Sequence, residues 1–521
     1  MEIFSIKNLN FTYPNQTEKA IDNVNLSVNS GDFLLVIGES GCGKTTLLKM
    51  LKPQLTPYGD ISGEIFYIGN KSNPCEIGFI MQDIDNQIVT DKVYSELAFG
   101  LENMGLKNDE IRLKVSEFAT YFGISDIFHK STNELSGGEK QLLNLASVMV
   151  MNPKVLILDE PTSQLDPIAT TEFIETLKRI NEDFGTTIII AEHNLQEVFK
   201  FANKVALMEK GSITSLDTPQ NIAKSVGGKR ISKAMPVAVR IFNELEGAGE
   251  CPLTVKDCRN FLQKNYKFSN INLCDNKSSI NPTAISCKDL WFRYTKNSND
   301  VLHNCSLTVN KGEIYGILGA NGCGKSTLLK VITGQLKPYR GKVNTYNNKL
   351  AYLPQNPKNL FVKDTLINDL NSINNSYKEL IQSFGMENLL NRHPYDLSGG
   401  ELQKAGILKI MLTDPDVILL DEPTKGIDSF AKEELGTLLS QLKDRGKTIV
   451  IVTHDVEFSA MFTDRCGLLF DGMITSQSDT KRFFANNHFY TTSAGKISRG
   501  IIDNAVTVED IVKVCKGAND D

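Results

Sequence analysis

The stretch Phe33-Leu34-Leu35-Val36-Ile37-Gly38-Glu39-Ser40-Gly41-Cys42-Gly43-Lys44-Thr45-Thr46 decides the fold. Five apolar residues run without a polar break, as in a short strand covered on both faces. The loop that follows has the spacing Gly-x4-Gly-Lys-Thr and leads into the helix-forming Leu47-Leu48-Lys49. Glycines at that spacing let the backbone curl so that its N–H groups point inward at phosphate oxygens, and the helix that starts there adds its positive end. The pattern is written a second time. Ile314 to Leu318 lead into Gly319-Ala320-Asn321-Gly322-Cys323-Gly324-Lys325-Ser326-Thr327, an offset of 281 residues (319 against 38). One such loop could be an ordinary Gly-rich turn. Two, each between a strand signal and a helix signal, read as two phosphate sites.

The repetition extends along the chain. Leu9-Asn10-Phe11-Thr12-Tyr13 returns as Leu290-Trp291-Phe292-Arg293-Tyr294, again 281 residues on (290 against 9). Leu135-Ser136-Gly137-Gly138-Glu139 returns at Leu397 to Glu401, and Asp159-Glu160 at Asp421-Glu422, both 262 residues on (397 against 135, 421 against 159). His193 and His454 stand 261 apart. The first copy therefore carries about 19 more residues in its middle (281 against 262). A fainter repeat, Leu253-Thr254-Val255-Lys256-Asp257 against Val506-Thr507-Val508-Glu509-Asp510, suggests a small C-terminal extension on each copy. The expected domains are 1–228 and its extension and linker 229–283, then 284–480 and its extension 481–521. Asn276 to Thr283, rich in Asn, Ser and Pro, reads as the linker.

Composition narrows the function. The 521 residues are 41% hydrophobic and 23% charged, which is globular usage, and the net charge of −6 argues against a nucleic-acid binder working by bulk charge. Met1 to Phe11 runs straight into an alternating strand pattern, so no signal peptide is expected, and no apolar run approaches a membrane span. The chain is expected to be soluble, or peripheral to a membrane through a partner. Its ten cysteines include no CxxC pair, so neither zinc nor an iron–sulfur cluster is indicated. Cys42 and Cys323 lie inside the phosphate loops, where small neutral filler is a simpler reading than redox control.

Val155 to Leu158 and Val417 to Leu420 are buried-strand runs ending at carboxylates, and Thr187 to Ile190 and Thr448 to Val452 end near histidines. In open α/β sheets ligands sit at such strand ends. The expected chemistry is nucleotide hydrolysis with ATP and Mg²⁺. Lys44 and Lys325 reach the outer phosphates, within cradles formed by residues 38–46 and 319–327, and Thr45 and Ser326 offer hydroxyls to Mg²⁺. Asp159 and Asp421 hold the metal, usually through water. Glu160 and Glu422 can polarise the attacking water, and His193 and His454 fall where a γ-phosphate contact is expected. Gln82 and Gln355 are placed near the metal and the water by the repeat and by family resemblance.

The Leu-Ser-Gly-Gly-Glu elements separate ABC ATPases from other P-loop enzymes, and both halves resemble that family over nearly their whole length. The resemblance implies an α/β fold of two tandem P-loop domains. Each has a RecA-like core, an antiparallel β subdomain, a helical subdomain and a small extension. It implies an intramolecular pseudo-dimer, in which Ser398 and Gly400 complete the Lys44 site and Ser136 and Gly138 the Lys325 site. Tyr13 and Tyr294 look like the aromatics that stack on adenine, and Asp166 and Asp428 like the loop aspartates that couple the sites. There are departures. Glu139 and Glu401 replace the commoner Gln, Leu142 stands where Lys404 supplies the family's basic residue, and Ser163-Gln164-Leu165 differs from Lys425-Gly426-Ile427. These departures leave open whether the two sites differ in rate; both are expected to hydrolyse.

Asn86-Gln87-Ile88-Val89-Thr90-Asp91 and Glu96-Leu97-Ala98-Phe99-Gly100-Leu101-Glu102-Asn103 resemble the ATPases of energy-coupling factor (ECF) importers, and Tyr352-Leu353-Pro354-Gln355-Asn356-Pro357 and Leu360-Phe361-Val362-Lys363-Asp364-Thr365 resemble the second half of fused ones. That resemblance implies uptake of a vitamin, a vitamin precursor or a metal ion through a membrane-spanning T component and a substrate-binding S component. The T component would dock near Val93–Asn103 and near residues 361–370 (Phe361 at the start, Leu370 at the end). The chain would then be peripheral on the cytoplasmic side of the cell membrane, with no nucleic-acid partner. Three alternatives stay open. Fused sugar-importer ATPases share the length but commonly have one degraded site. Cytosolic tandem ABC ATPases acting on ribosomes often carry a charged interdomain helix or a cysteine-rich N-terminus. DNA-repair ABC ATPases carry zinc or coiled-coil insertions.

Overall fold

Among the described residues, nine strands build the first half. β1 (Glu2–Thr12), β2 (Ile21–Asn29) and β4 (Asp60–Tyr67) form an antiparallel sheet in the order β2-β1-β4. β3 (Phe33–Ile37), β5 (Ile77–Ile80), β6 (Val155–Asp159), β7 (Thr187–Ala191), β8 (Lys204–Glu209) and β9 (Ser212–Asp217) form a second sheet in the order β5-β6-β7-β3-β8-β9. Every pair in the second sheet is parallel except β8 with β9. The non-polar runs read from sequence are these strands, and β3, β5, β6 and β7 are buried along their whole length. Strands covered on both faces cannot alternate, so they appear as unbroken apolar runs.

The second half repeats the plan. β10 (Thr283–Phe292), β11 (Leu302–Asn310) and β13 (Arg340–Asn344) pair antiparallel, and β12 (Ile314–Leu318), β14 (Leu350–Leu353), β15 (Val417–Asp421), β16 (Thr448–Thr453), β17 (Arg465–Phe470) and β18 (Met473–Asp479) follow the order β14-β15-β16-β12-β17-β18. The expected architecture, two tandem α/β units of P-loop type, is present. This computed structural model describes residues 1–14, 16–70, 73–268, 281–373 and 378–517, with 378 and 379 by backbone only. The expected linker lies outside the described residues as far as residue 280.

Of the about 19 additional residues of the first half, 11 lie after the loop glutamine and 8 before it (38 to 82 against 319 to 355). The spacing from the loop glutamine to the Leu-Ser-Gly-Gly element is 53 residues in the first half (82 to 135) and 42 in the second (355 to 397). The helices between them are Val93–Asn103 and Asn108–Tyr121 in the first half but only Leu366–Asn371 and Lys378–Phe384 in the second. The first helical subdomain is larger by about three turns.

The chain divides into two compact units, Met1–Thr254 and Val255–Asp521. The helix Val255–Asn265, which the sequence reading put at the end of the first half, belongs to the second unit. It buries Cys258 and Leu262, four residues apart on one face, and packs on the helix Ser493–Ser498, where Arg259 Nη1 donates to the Lys496 carbonyl at 3.0 Å. The faint terminal repeat marks two helix starts, Val255 and Val508.

Candidate functional site

Parallel pairing brings the carboxyl ends of β3, β5, β6 and β7 to one edge, so the glycine-rich loop from Gly38, Gln82, Asp159 with Glu160, and His193 lie at or just past those ends. The loop after β3 curls tightly. Gly43 has φ 106° and a Cβ there would lie 2.4 Å from the Ala20 carbonyl oxygen, and Gly324 repeats the conformation at φ 101°. The helices Lys44–Met50 and Lys325–Ile332 begin immediately after these glycines.

Lys44 is buried, and its Nζ donates to the carbonyls of Gly38 (2.9 Å) and Glu39 (3.0 Å). Among the described residues no carboxylate comes within ion-pair distance of it. A buried ammonium held only by neutral groups is suited to an incoming anion. Thr45 Oγ1 donates to Asp159 Oδ1 at 3.0 Å, and burial pushes the Asp159 carboxyl up to about 6. Glu160 receives Gln82 Nε2 at 2.7 Å and His193 Nε2 at 2.6 Å, so three of the expected side chains meet at one carboxylate. Tyr13 hydroxyl pairs with Thr46 Oγ1 at 2.9 Å.

The second unit assembles the same residues differently. Lys325 Nζ donates to Gly319 (2.9 Å) and Ala320 (3.0 Å) carbonyls and also pairs with Glu422 Oε1 at 3.3 Å. His454 meets Glu422 through Nδ1 at 2.8 Å, where His193 uses Nε2. Burial pushes the Glu422 carboxyl up, but His454 and Lys325 outweigh it and hold the group below its ordinary value. Gln355 is exposed and makes no hydrogen bond to Glu422, unlike Gln82 with Glu160. Ser326 Oγ donates to Asp421 Oδ1 at 2.9 Å, and Tyr294 hydroxyl pairs with Thr327 at 3.0 Å.

The hydroxyl–carboxylate pairs Thr45–Asp159 and Ser326–Asp421 are hard oxygen donors, few in number, which suits a Mg²⁺ that keeps water and phosphate in its shell. Glu160 and Glu422 occupy left-handed backbone, φ 48° and 49°, each held by its N–H bonding to Ala191 (2.9 Å) or Val452 (2.8 Å) carbonyl oxygen. Burial pushes the Cys42 and Cys323 thiols up despite the lysines beside them, which disfavours a reactive thiolate.

Ser136 and Ser398 cap the helices Gly137–Met149 and Gly399–Met411. Ser136 N donates to Glu139 Oε2 at 2.7 Å and Ser398 N to Glu401 Oε2 at 2.8 Å. The departures Glu139 and Glu401 thereby close capping boxes. Gly400 permits close packing, since a Cβ there would lie 2.7 Å from Ala431 Cβ; Gly138 sits at the matching place. Asp166 and Asp428 cap the helices Pro167–Phe184 and Ser429–Asp444 by accepting Ala169 N (2.9 Å) and Ala431 N (2.8 Å).

The sequence profile described as ABC transporter matches residues 21–163 and 302–425. The chain belongs to the ABC transporter family. It is similar to a putative ABC transporter ATP-binding protein of Bacillus thuringiensis subsp. konkukian (strain 97-27), 38% identical over 540 residues and covering 98% of both chains. A putative ABC transporter ATP-binding protein of Methanosarcina acetivorans is 33% identical over 555 residues, 93% of this chain and 86% of that one. Among solved structures, an archaeal ribosome recycling factor, aABCE1, crystallised with the ribosomal stalk protein aP1, shares the fold at a TM-score of 0.62 and 22% identity, covering 92% of each chain. The structure of cbiO1 from Clostridium perfringens, 31% identical, covers 45% of this chain and 97% of its own at a TM-score of 0.40. The chain is thus a tandem ABC ATPase, and no helix among its described residues is long and apolar enough to cross a membrane.

Sequence reading assigned no site role to three residues of these ABC sites. Tyr352 hydroxyl donates to Asp421 Oδ2 at 3.0 Å, where Phe79 stands in the first half. Lys425 lies near Glu422, Lys325 and Asp421, and burial holds its ammonium below the ordinary value. Glu192 lies buried between His193 and Thr162, with its carboxyl pushed up by burial to about 7. Setting the two halves side by side exposes each as a difference, Phe79 for Tyr352, Ser163 for Lys425 and Glu192 for Thr453.

Proposed function

We propose that this chain is the ATP-hydrolysing subunit of an ECF-type importer, bound to the cytoplasmic face of the membrane through T and S components, and powers uptake of a vitamin, a vitamin precursor or a metal ion. One observation carries the reading. Val89, Tyr94, Phe99 and Met104 are exposed large apolar residues on and beside the helix Val93–Asn103, within reach of the loop that carries Gln82. Glu96 holds that loop to the helix, accepting Val89 N at 3.1 Å and Thr90 N at 2.8 Å. In the second unit Asp369 does the same for Val362 N at 2.8 Å and Lys363 N at 3.3 Å. An apolar partner helix resting there would press on a segment tied directly to Glu160. The description of the curated relatives as transporter ATP-binding proteins supports the same reading.

In this reading Lys44 and Lys325 bind the outer phosphates within the 38–46 and 319–327 cradles, and Tyr13 and Tyr294 stack on adenine. Mg²⁺, held by Thr45 with Asp159 and by Ser326 with Asp421, supplies positive charge against the phosphates. Glu160 and Glu422 accept the proton of the water that attacks the γ-phosphorus, and ADP departs. His193 and His454 orient those carboxylates and reach the γ-phosphate, with Gln82 beside the first. Ser136 and Ser398 present hydroxyls for γ-phosphate, which favours the ATP-bound form, and Asp166 and Asp428 couple the two sites.

The test is purification of the tagged full chain from detergent-solubilised membranes. An integral membrane partner should come with it, and charged substitutions at Tyr94 and Phe99 should release that partner while leaving ATP binding intact. Recovery with ribosomes and no integral membrane protein would sink the importer reading.

A further inference from the structure

The polar groups behind Glu160 are not the same in the two halves. In the first, the buried Glu192 follows the last residue of β7 and precedes His193. Its Oε1 accepts the N–H of Thr162 at 2.9 Å, and its Oε2 accepts the N–H of His193 at 3.2 Å. Thr162 also turns its hydroxyl to the same carboxyl. Thr162 stands two residues after Glu160, and its carbonyl accepts Leu165 N at 3.0 Å, so it opens the turn that leads to Asp166. One carboxylate therefore joins two things: the histidine that bonds Glu160, and the turn that runs from Glu160 toward Asp166.

In the second half the corresponding residues are Thr424 and Thr453 (162 and 192, offset 262 and 261). Their hydroxyls pair with each other at 3.2 Å, and Thr453 Oγ1 accepts Asp455 N at 3.0 Å. A hydroxyl pair there does locally what the carboxylate does in the first half. Glu160 itself leans on this junction, because it sits in a left-handed turn and its N–H is stapled to the Ala191 carbonyl at the end of the strand that Glu192 follows. A second tie one residue beyond that staple fixes the direction from which Glu160 and His193 meet.

We propose that Glu192 is a positioning residue of the first ATP site, a clamp that locks the Thr162 turn to His193 and so holds Glu160 in line for hydrolysis. The inference rests on Glu160 being the hydrolytic carboxylate. Glu192 touches neither nucleotide cradle nor reacting atoms, so its effect should fall on turnover and not on ATP binding.

The test uses the full chain carrying Glu422→Gln, so that turnover reports the first site. Adding Glu160→Gln to that chain tests the underlying reading by itself: turnover that survives it would overturn the role of Glu160, whatever Glu192 does. Glu192→Gln keeps the size but points an NH₂ at one of the two N–H groups, leaving a buried donor unpaired. It should lower kcat about 10-fold with KM for ATP within about 2-fold. Glu192→Thr can meet the Thr162 hydroxyl as Thr453 meets Thr424, and should recover most of the lost kcat. Hydrogen exchange of the 160–166 segment should follow the same order, faster in Glu192→Gln and near the parent in Glu192→Thr. Equal loss in both variants, no loss in either, or a change confined to KM overturns the proposal. Should Glu192→Gln not fold, Glu192→Thr decides alone. Parent-like kcat with a parent-like protected 160–166 segment supports the clamp, and parent-like kcat with rapid exchange there overturns it.

Discussion

The Glu192 carboxyl also makes the stability of the first unit depend on pH in an unusual direction. An ordinary glutamate, as in the unfolded chain, titrates near 4.5, whereas burial pushes Glu192 up to about 7 in the folded protein. Below pH 4.5 both states hold the proton. Between 4.5 and 7 the folded state keeps a proton that the unfolded state has released, so folding loses ground as pH rises. Above 7 the folded protein carries the full cost of a buried charge, ~3 kcal/mol for a difference of that size. Replacing Glu192 with threonine, the residue of the second half, removes this titration. It also exchanges the charged acceptor beside the Thr162 N–H for a neutral hydroxyl, a loss of ~1–2 kcal/mol at every pH. The variant should therefore be the less stable protein at pH 5 and gain on the wild type by ~3 kcal/mol on going to pH 8. At roughly 2–4 °C per kcal/mol for a unit of this size, calorimetry on the full chain should show the variant-minus-wild-type Tm of the first unit rising by ~6–12 °C across that range. A difference that stays constant from pH 5 to pH 8 refutes the reasoning, because only a group that titrates differently in the two states can give it a slope.

Three further outcomes follow from the contrasts between the halves. Gln82 donates to Glu160 while Gln355 makes no bond to Glu422, so Gln82→Ala should lower first-site kcat about 10-fold and Gln355→Ala should change second-site kcat less than about 3-fold, each measured with the other site silenced. Tyr352 donates to the Asp421 carboxyl and opposes the upward push of burial, so Tyr352→Phe should raise that carboxyl further; in a Glu160→Gln chain the acid limb of the pH–rate profile should move to higher pH, and an unmoved limb counts against the bond. Ser398→Ala removes the cap of the helix Gly399–Met411 and should cost ~1 kcal/mol in denaturant unfolding, with the larger effect on ATP turnover. Equal loss of stability and activity would reduce Ser398 to a helix cap.

The fold was legible because the strands that carry the site are buried on both faces, which strips Val155 to Leu158 and Ile449 to Val452 of polar residues and leaves the functional ones at their ends. Lys44, Thr45, Asp159, Glu160 and His193 could be named for the same reason, and the structure brings the last two together with Gln82. Glu192 stayed hidden because a charged residue after a strand reads as solvated, and only the tertiary burial beside Thr162 makes it otherwise. Gln355 shows the opposite failure. Its position repeats that of Gln82, but position alone does not create the bond, and Lys325 has taken the second contact with Glu422. The helix Val255–Asn265 could not be assigned to a unit from its local pattern, since Cys258 and Leu262 say that one face is covered but not by what.

The left-handed backbone at Glu160 and Glu422 bears on how this chain drifts by mutation. Three other left-handed positions shared by the halves carry residues that tolerate the conformation, Asn8 and Asp289, Asn23 and Asn304, Asn152 and Asp414, and a fourth pairs Lys210 with Asp471. Glutamate enjoys no such tolerance and costs on the order of 1 kcal/mol there, so random substitution toward Asn or Gly would relax the backbone. Both copies keep the carboxylate at that cost, so a change of Glu160 or Glu422 to Asn or Gly trades the carboxylate for an easier backbone.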